Sequence, residues 1–197
     1  MLTVFKPVAE RPLKPIAKAL KDVNPNSISM LGIIFPTLFF LLVINHQYAW
    51  ALFVYIFNWV DLLDGMVARL SGRVTKFGGF LDSTIDRFAD FAVLTAFGFA
   101  FIVSWDIVVP LLMLSFVISY MRTRIEYMAD GKVTASVGII ERTERLVIVF
   151  IGLLLYVIFP HVRLWHQNVM SITLLVLIVL SAITVFQRLA FAYQKLK

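Results

Sequence analysis

Long apolar stretches separated by short polar ones run through most of the chain. Ile107–Tyr120 and Val169–Phe186 carry no charged residue at all. A helix crosses a bilayer core of about 30 Å with roughly 20 mostly apolar residues. The pattern predicts six such helices, over residues 28–45, 48–68, 81–104, 107–128, 143–159 and 168–190. None shows the alternation of a half-buried strand, which argues against a barrel, and backbone groups in lipid must then pair within helices. Ahead of the first apolar stretch, Lys6, Arg11, Lys14, Lys18 and Lys21 are interleaved with Val4, Phe5, Leu13, Ile16, Ala17 and Leu20. That mixture predicts an amphipathic juxtamembrane helix over residues 1–24, held by apolar burial and by anionic headgroups. Pro7, Pro12 and Pro15 and the lack of a long apolar core set it apart from a secretory signal. The expected fold is an all-α membrane protein: one domain over residues 1–197, with residues 25–197 forming the six-helix bundle.

Composition agrees. Of 197 residues, 60% are hydrophobic and the mean hydropathy is +0.89, against about 45–50% apolar residues in soluble domains. The absence of Cys excludes disulfides, thiol catalysis and a Cys-ligated zinc. With six spans, every Lys and Arg except Arg163 falls on one side, and His46, Asp106, His161 and His166 fall on the other. The positive-inside rule then predicts a multi-pass protein of the cell membrane with both termini and the polar loops in the cytoplasm. The net charge of +6 follows from this topology without any nucleic-acid partner.

Acidic residues cluster where the second and third apolar stretches approach that side. Asp61 and Asp64 are three apart, and Asp82 and Asp86 four apart, so each pair shares one helix face. The hairpin between them allows the two pairs to meet. Carboxylates at membrane depth cost roughly 2.5–3.5 kcal/mol each on insertion scales, and close like charges repel. Arg69 and Arg87 neutralise part of this charge, and a divalent cation accounts for the remainder. Ligands that are oxygen only favour Mg²⁺, Mn²⁺ or Ca²⁺. Gly65 inside a helical stretch predicts close approach of a ligand or backbone beside Asp64, while Gly78 and Gly79 open the helix that carries Asp82. Asn26, Ser27, Ile28 and Ser29 precede the first predicted span, where an Asn or Ser suits a helix cap or a substrate contact.

The spacing of Asp61, Asp64, Gly65, Ala68, Arg69, Gly78, Asp82 and Asp86 resembles the signature of the CDP-alcohol phosphotransferases. The resemblance extends over nearly the whole chain. It implies an enzyme that displaces CMP from a CDP-linked lipid with a second alcohol. It further implies that Asp61, Asp64, Asp82 and Asp86 hold two Mg²⁺ ions, with Mn²⁺ the alternative, and that Asp86 is the general base. Asn26, Ser27, Ile28, Ser29, Gly65, Arg69, Thr75 and Gly78 become the expected CDP-lipid contacts. Similar enzymes are homodimers.

Two further segments bear on the acceptor. Tyr120, Arg122, Arg124 and Glu126 close the fourth span, and Gly138, Glu141, Arg142, Glu144 and Arg145 open the fifth. Guanidinium groups suit bidentate phosphate binding, although Arg122 and Arg124, two apart, point in different directions on a regular helix. Pairing with Glu126, Glu141 and Glu144 is the plain structural alternative. These patterns are similar to those of the phosphatidylinositol-phosphate and archaetidylinositol-phosphate synthases. That resemblance implies inositol 1-phosphate as acceptor, with Arg122, Arg124, Arg142 and Arg145 as its phosphate contacts. Glycerol 3-phosphate is the alternative acceptor, and CDP-diacylglycerol and CDP-archaeol both remain open as donors. A divalent-cation transporter is the alternative from another class, since intramembrane carboxylates mark ion pathways. It would place them near the bilayer midplane, whereas these lie towards one end of their helices.

Overall fold

The computed structural model describes residues 14–59 and 61–197, with the side chains of Asn26, Asn58, Trp59, Asp61, Leu62 and Asp64 left outside the description. Its helices are α1 (Pro25–Ile44), α2 (Tyr48–Tyr55), α3 (Asp61–Leu70), α4 (Lys76–Phe99), α5 (Trp105–Met128), α6 (Arg142–Ile158) and α7 (Val169–Leu196). A two-stranded antiparallel hairpin, β1 (Arg163–Leu164) and β2 (Gln167–Asn168), joins α6 to α7. Helices therefore stand at all six predicted places. By length and apolarity, Ser27–Ile44, Trp105–Met128 and Val169–Leu196 qualify as membrane-crossing, so this is a membrane protein. At 17 residues, α6 spans about 25 Å at 1.5 Å per residue. Helix α4 carries Lys76, Asp82, Asp86 and Arg87 in its first half and Asp90 just past its middle.

Several boundaries differ from the sequence expectation: the third predicted helix, 81–104, runs over Lys76–Phe99, and the last continues to Leu196. The first span begins at Pro25, so Asn26, Ser27, Ile28 and Ser29 form its opening turn rather than precede it. Proline at the first helical position is pre-set for the helix and lacks an N–H that would have no partner there. The stretch 48–68 is divided: α2 passes into a 3-10 turn over Ile56–Trp59 before α3 begins at Asp61. Tighter 3-10 turns re-aim the chain, and this one precedes the aspartate-bearing helix. Of the predicted juxtamembrane helix, residues 14–19 are helical and residues 1–13 lie outside the described residues. Ala17 and Leu20 pack with Ile28, Leu63, Met66 and Val67, while Lys14, Lys18 and Lys21 are exposed.

The contacts divide the chain into two compact units, Met1–Ala100 and Phe101–Lys197. In the first, α1 lies along α4, with Phe39 edge-on to both Tyr55 (5.2 Å) and Phe97 (6.0 Å). The two helices approach closely at Gly32, where a Cβ would sit 2.9 Å from Ile85 Cγ2. In the second unit, α7 packs against both α5 and α6, burying Leu111, Ile118, Leu153, Leu174 and Leu177. Gly152 permits the α6–α7 contact, since a Cβ there would lie 2.6 Å from Thr173 Cγ2.

Candidate active site

Helix α3 sets Asp61, Asp64, Gly65, Ala68 and Arg69 within its 10 residues. The Arg69 side chain folds back along this helix, for a Cβ on Gly65 would lie 3.3 Å from Arg69 Nη1. The glycine expected to admit a ligand thus first makes room for a guanidinium one turn on. After the 71–75 turn, with Gly72 left-handed at φ +67°, Thr75 caps α4. Its backbone is extended, and its Oγ1 accepts a hydrogen bond from Gly78 N at 2.9 Å. A helix N-terminus presents N–H groups and the positive end of the helix dipole, which favours phosphate.

These segments enclose a cavity of ≈ 250 Å³ lined by Ser29, Gly65, Arg69, Thr75, Gly78 and Asp82 among others. Six residues anticipated for donor or metal binding, drawn from α1, α3 and α4, therefore converge. Ser27 and Ile28 do not line it. The Ser27 N–H donates to Asn24 O at 3.0 Å, and Ile28 is buried in the apolar cluster with Ala17 and Val67. The side chain of Asn26 lies outside the described residues. Arg73, which the motif does not contain, also lines this cavity. A second cavity of ≈ 430 Å³, lined by Asn24, Pro25, Arg73 and Thr75, adjoins it through their shared walls. Arg73 Nη1 donates to Asp22 O at 3.4 Å.

Along α4, Asp82, Asp86 and Asp90 follow at four-residue intervals. Arg87 joins the lower two: its Nη2 is 3.6 Å from Asp86 Oδ2 and its Nε 3.6 Å from Asp90 Oδ2. Asp86 keeps 19% of its side-chain surface and Asp90 only 6%. Asp90 lies outside the motif, and its sequence signal is that it continues the 82–86 interval. Among the described residues no group of three acidic or histidine side chains gathers around one point, and the side chains of Asp61 and Asp64 are not among them. The donor set still fits a hard divalent ion. The Asp82 and Asp86 carboxylates are half-buried, the chemistry of all four aspartates is oxygen only, and no thiol or imidazole stands in α3 or α4.

In the second unit the anticipated arginines make separate contacts. Arg122 Nε pairs with Glu126 Oε1 at 3.3 Å, and Arg124 lies over the Tyr127 ring at 5.6 Å. Glu141 and Glu144 form a capping box that starts α6, with Arg142 as its first residue. Arg145 is buried one turn further on. From the sequence alone Arg188 adds only to the charge bias. It is 2% exposed, donates to Val137 O at 2.8 Å and to Ile118 O, and meets Glu141. Arg122, Arg145 and Glu126 all act on it electrostatically, so three guanidinium groups share one neighbourhood. The sequence signal of Arg188 is its place shortly after the uncharged stretch Val169–Phe186, before the end of the same helix.

Comparison with known proteins adds an independent line. The model of the family described as CDP-alcohol phosphatidyltransferase matches residues 22–190. The chain is 34% identical over 203 residues to the archaetidylinositol phosphate synthase of Pyrococcus horikoshii, covering 100% of this chain and 99% of that one. It is 33% identical over 204 residues to the phosphatidylinositol phosphate synthase of Cutibacterium acnes, covering 96% of each. Among solved structures it is similar to the Mycobacterium tuberculosis phosphatidylinositol phosphate synthase with CDP-DAG bound. There the TM-score is 0.75 and the identity 32%, over 91% of this chain and 92% of that one. The same enzyme in complex with manganese and citrate gives a TM-score of 0.76 at 32% identity, over 91% and 88%.

Proposed function

Because the chain belongs to the CDP-alcohol phosphatidyltransferase family, we propose that it transfers a phosphatidyl-type group from a CDP-lipid to inositol 1-phosphate, releasing CMP. The observation that carries this is the cavity in which Gly65, Arg69, Thr75, Gly78 and Asp82 come together at the N-terminus of α4. The family makes the chain a transferase and sets aside the cation-transporter reading. The acceptor rests on relatives named as inositol phosphate synthases. The donor rests on a similar enzyme with CDP-DAG bound.

The donor pyrophosphate is held by Arg69 and by the N–H groups that open α4. Arg73, at the junction of the two cavities, adds a second guanidinium to the donor site. Asp61, Asp64, Asp82 and Asp86 would hold two divalent ions, Mg²⁺ or Mn²⁺, which when bound neutralise the pyrophosphate and the charge that develops on the departing CMP. Asp86 accepts the proton of the attacking acceptor hydroxyl. The acceptor oxygen bonds to the lipid-side phosphorus as the bond from that phosphorus to the CMP oxygen breaks. Arg122, Arg142, Arg145 and Arg188 supply positive charge for the acceptor's phosphate, with Arg124 alongside.

The same reading takes all six helical segments as spans of a single domain. It places both termini and the reaction in the cytoplasm, where the basic loops collect, and takes the enzyme as a homodimer. Purified protein incubated with CDP-diacylglycerol or CDP-archaeol and a candidate acceptor tests the reaction. CMP is expected with inositol 1-phosphate. CMP with glycerol 3-phosphate but not with inositol 1-phosphate would overturn the acceptor assignment.

A further inference from the structure

Two bulky aromatic residues in the second unit stand outward on turns that suit glycine. Phe101 is 91% exposed with φ +56°, and Trp165 is 86% exposed with φ +50°. His166 follows at φ +63°. The left-handed region is uncommon for non-glycine residues and rare for bulky ones. The hairpin pairs Arg163 with Asn168 and Leu164 with Gln167, so Trp165 and His166 form its two-residue loop. Positive φ at both central positions is the geometry that Asn-Gly usually supplies. Rings this exposed contribute little to packing within the chain.

The two turns are tied together. Asn168 Nδ2 donates to Ile102 O at 2.6 Å, while its Oδ1 accepts from Ser171 N at 2.8 Å and caps α7. Membrane-crossing segments start directly beyond each turn, at Trp105 and at Val169. The exposed apolar surface continues through Ile158, Phe159, Val162 and Leu164, with Arg163 the basic residue among them.

We propose that this end of the unit is a lipid anchor, in which Phe101 and Trp165 seat in the headgroup and glycerol layer of the bilayer and Arg163 meets lipid phosphate. Aromatic rings concentrate at that depth in membrane proteins. Continuity with the starts of α5 and α7 identifies the occupant as lipid rather than a soluble partner. The assignment is independent of the transfer reaction, and its readout needs no turnover.

The chain has no Cys, so Phe101→Cys and Trp165→Cys each create one labelling site. Lys132→Cys, on an exposed loop position after α5, is the control. Each variant carries an environment-sensitive fluorophore in vesicles of phosphatidylcholine with phosphatidylglycerol. Labels at 101 and 165 are expected to emit further to the blue than the label at 132, to resist iodide, and to be quenched more by nitroxide lipids labelled near the headgroup than by those labelled deep in the chain. Iodide quenching at 101 and 165 as strong as at 132 would overturn the anchor. So would shielding that disappears when protein is diluted in excess lipid, since a second copy of the chain would then be the cover.

Discussion

The guanidinium of Arg188 lies 3.4 Å from the carboxylate of Glu141, joining residues 47 positions apart in the chain. Glu141 also accepts from the backbone at the start of α6, so one buried arginine fastens the α6 N-terminus to α7. Arg188→Met removes the donor for two backbone carbonyls and leaves the carboxylate with less compensation. A loss of about 3–5 kcal/mol is expected, as for a buried pair broken from one side. Denaturation of the detergent-solubilised protein measures it, and an unchanged midpoint would dismiss the clamp.

Asp86→Asn keeps the shape of the side chain and removes its capacity to take a proton. Turnover is expected to fall by about 10²–10⁴-fold, the usual contribution of a general base, while CDP-lipid still binds. A variant that releases CMP at the parent rate would take Asp86 out of the base role.

Arg73 stands in the walls of both cavities. Arg73→Gln is expected to raise the donor KM by about tenfold, the scale of one charge-assisted hydrogen bond, with kcat little changed. A fall in kcat at constant KM would place Arg73 with the reacting atoms instead.

Chelation should stop CMP release, and added Mg²⁺ or Mn²⁺ should restore it, because an oxygen-only set of carboxylates such as Asp82 and Asp86 suits a hard divalent ion. Asp82→Asn is expected to raise the metal concentration needed for half-maximal activity. Full activity in excess chelator would remove the metal from the mechanism.

Gly152→Ala inserts a methyl group 2.6 Å from Thr173 Cγ2 and 2.7 Å from its Oγ1. Overpacking of this kind costs about 1–3 kcal/mol. The double variant with Thr173→Ala is expected to recover part of that loss, because the two nearest atoms, Cγ2 and Oγ1, are then gone while Thr173 Cβ remains at 2.9 Å. Equal stability of the single and double variants would show that α6 and α7 do not meet at this point.

Much of the chemistry could be read from local spacing. The four-residue interval from Asp82 to Asp86 and the three-residue interval from Asp61 to Asp64 define helix faces wherever a helix forms, and apolar stretches of span length identify helices without reference to neighbours. The placing of Thr75 and Gly78 beside Gly65 was also legible, though only through the family resemblance. Boundaries were less so. Pro25 starts α1 ahead of the apolar stretch because proline is stable at a first helical position, and hydropathy does not register that. The 3-10 turn over Ile56–Trp59 sits within an apolar stretch that reads as one helix.

Taken alone, the sequence determined that this is a helical membrane protein with paired aspartates and the motif of a CDP-lipid enzyme, because helix periodicity and hydropathy act over a few residues. Only the tertiary structure decided that Ile28 packs in the core instead of facing the cavity, that Arg73 borders both cavities, that Arg87 links Asp86 to Asp90, and that Arg188 reaches Glu141. Apart from the Arg87 contacts, which depend on rotamer choice, each joins segments distant along the chain. Such meetings follow from how helices pack against one another, and a linear pattern of polar and apolar positions does not contain that information.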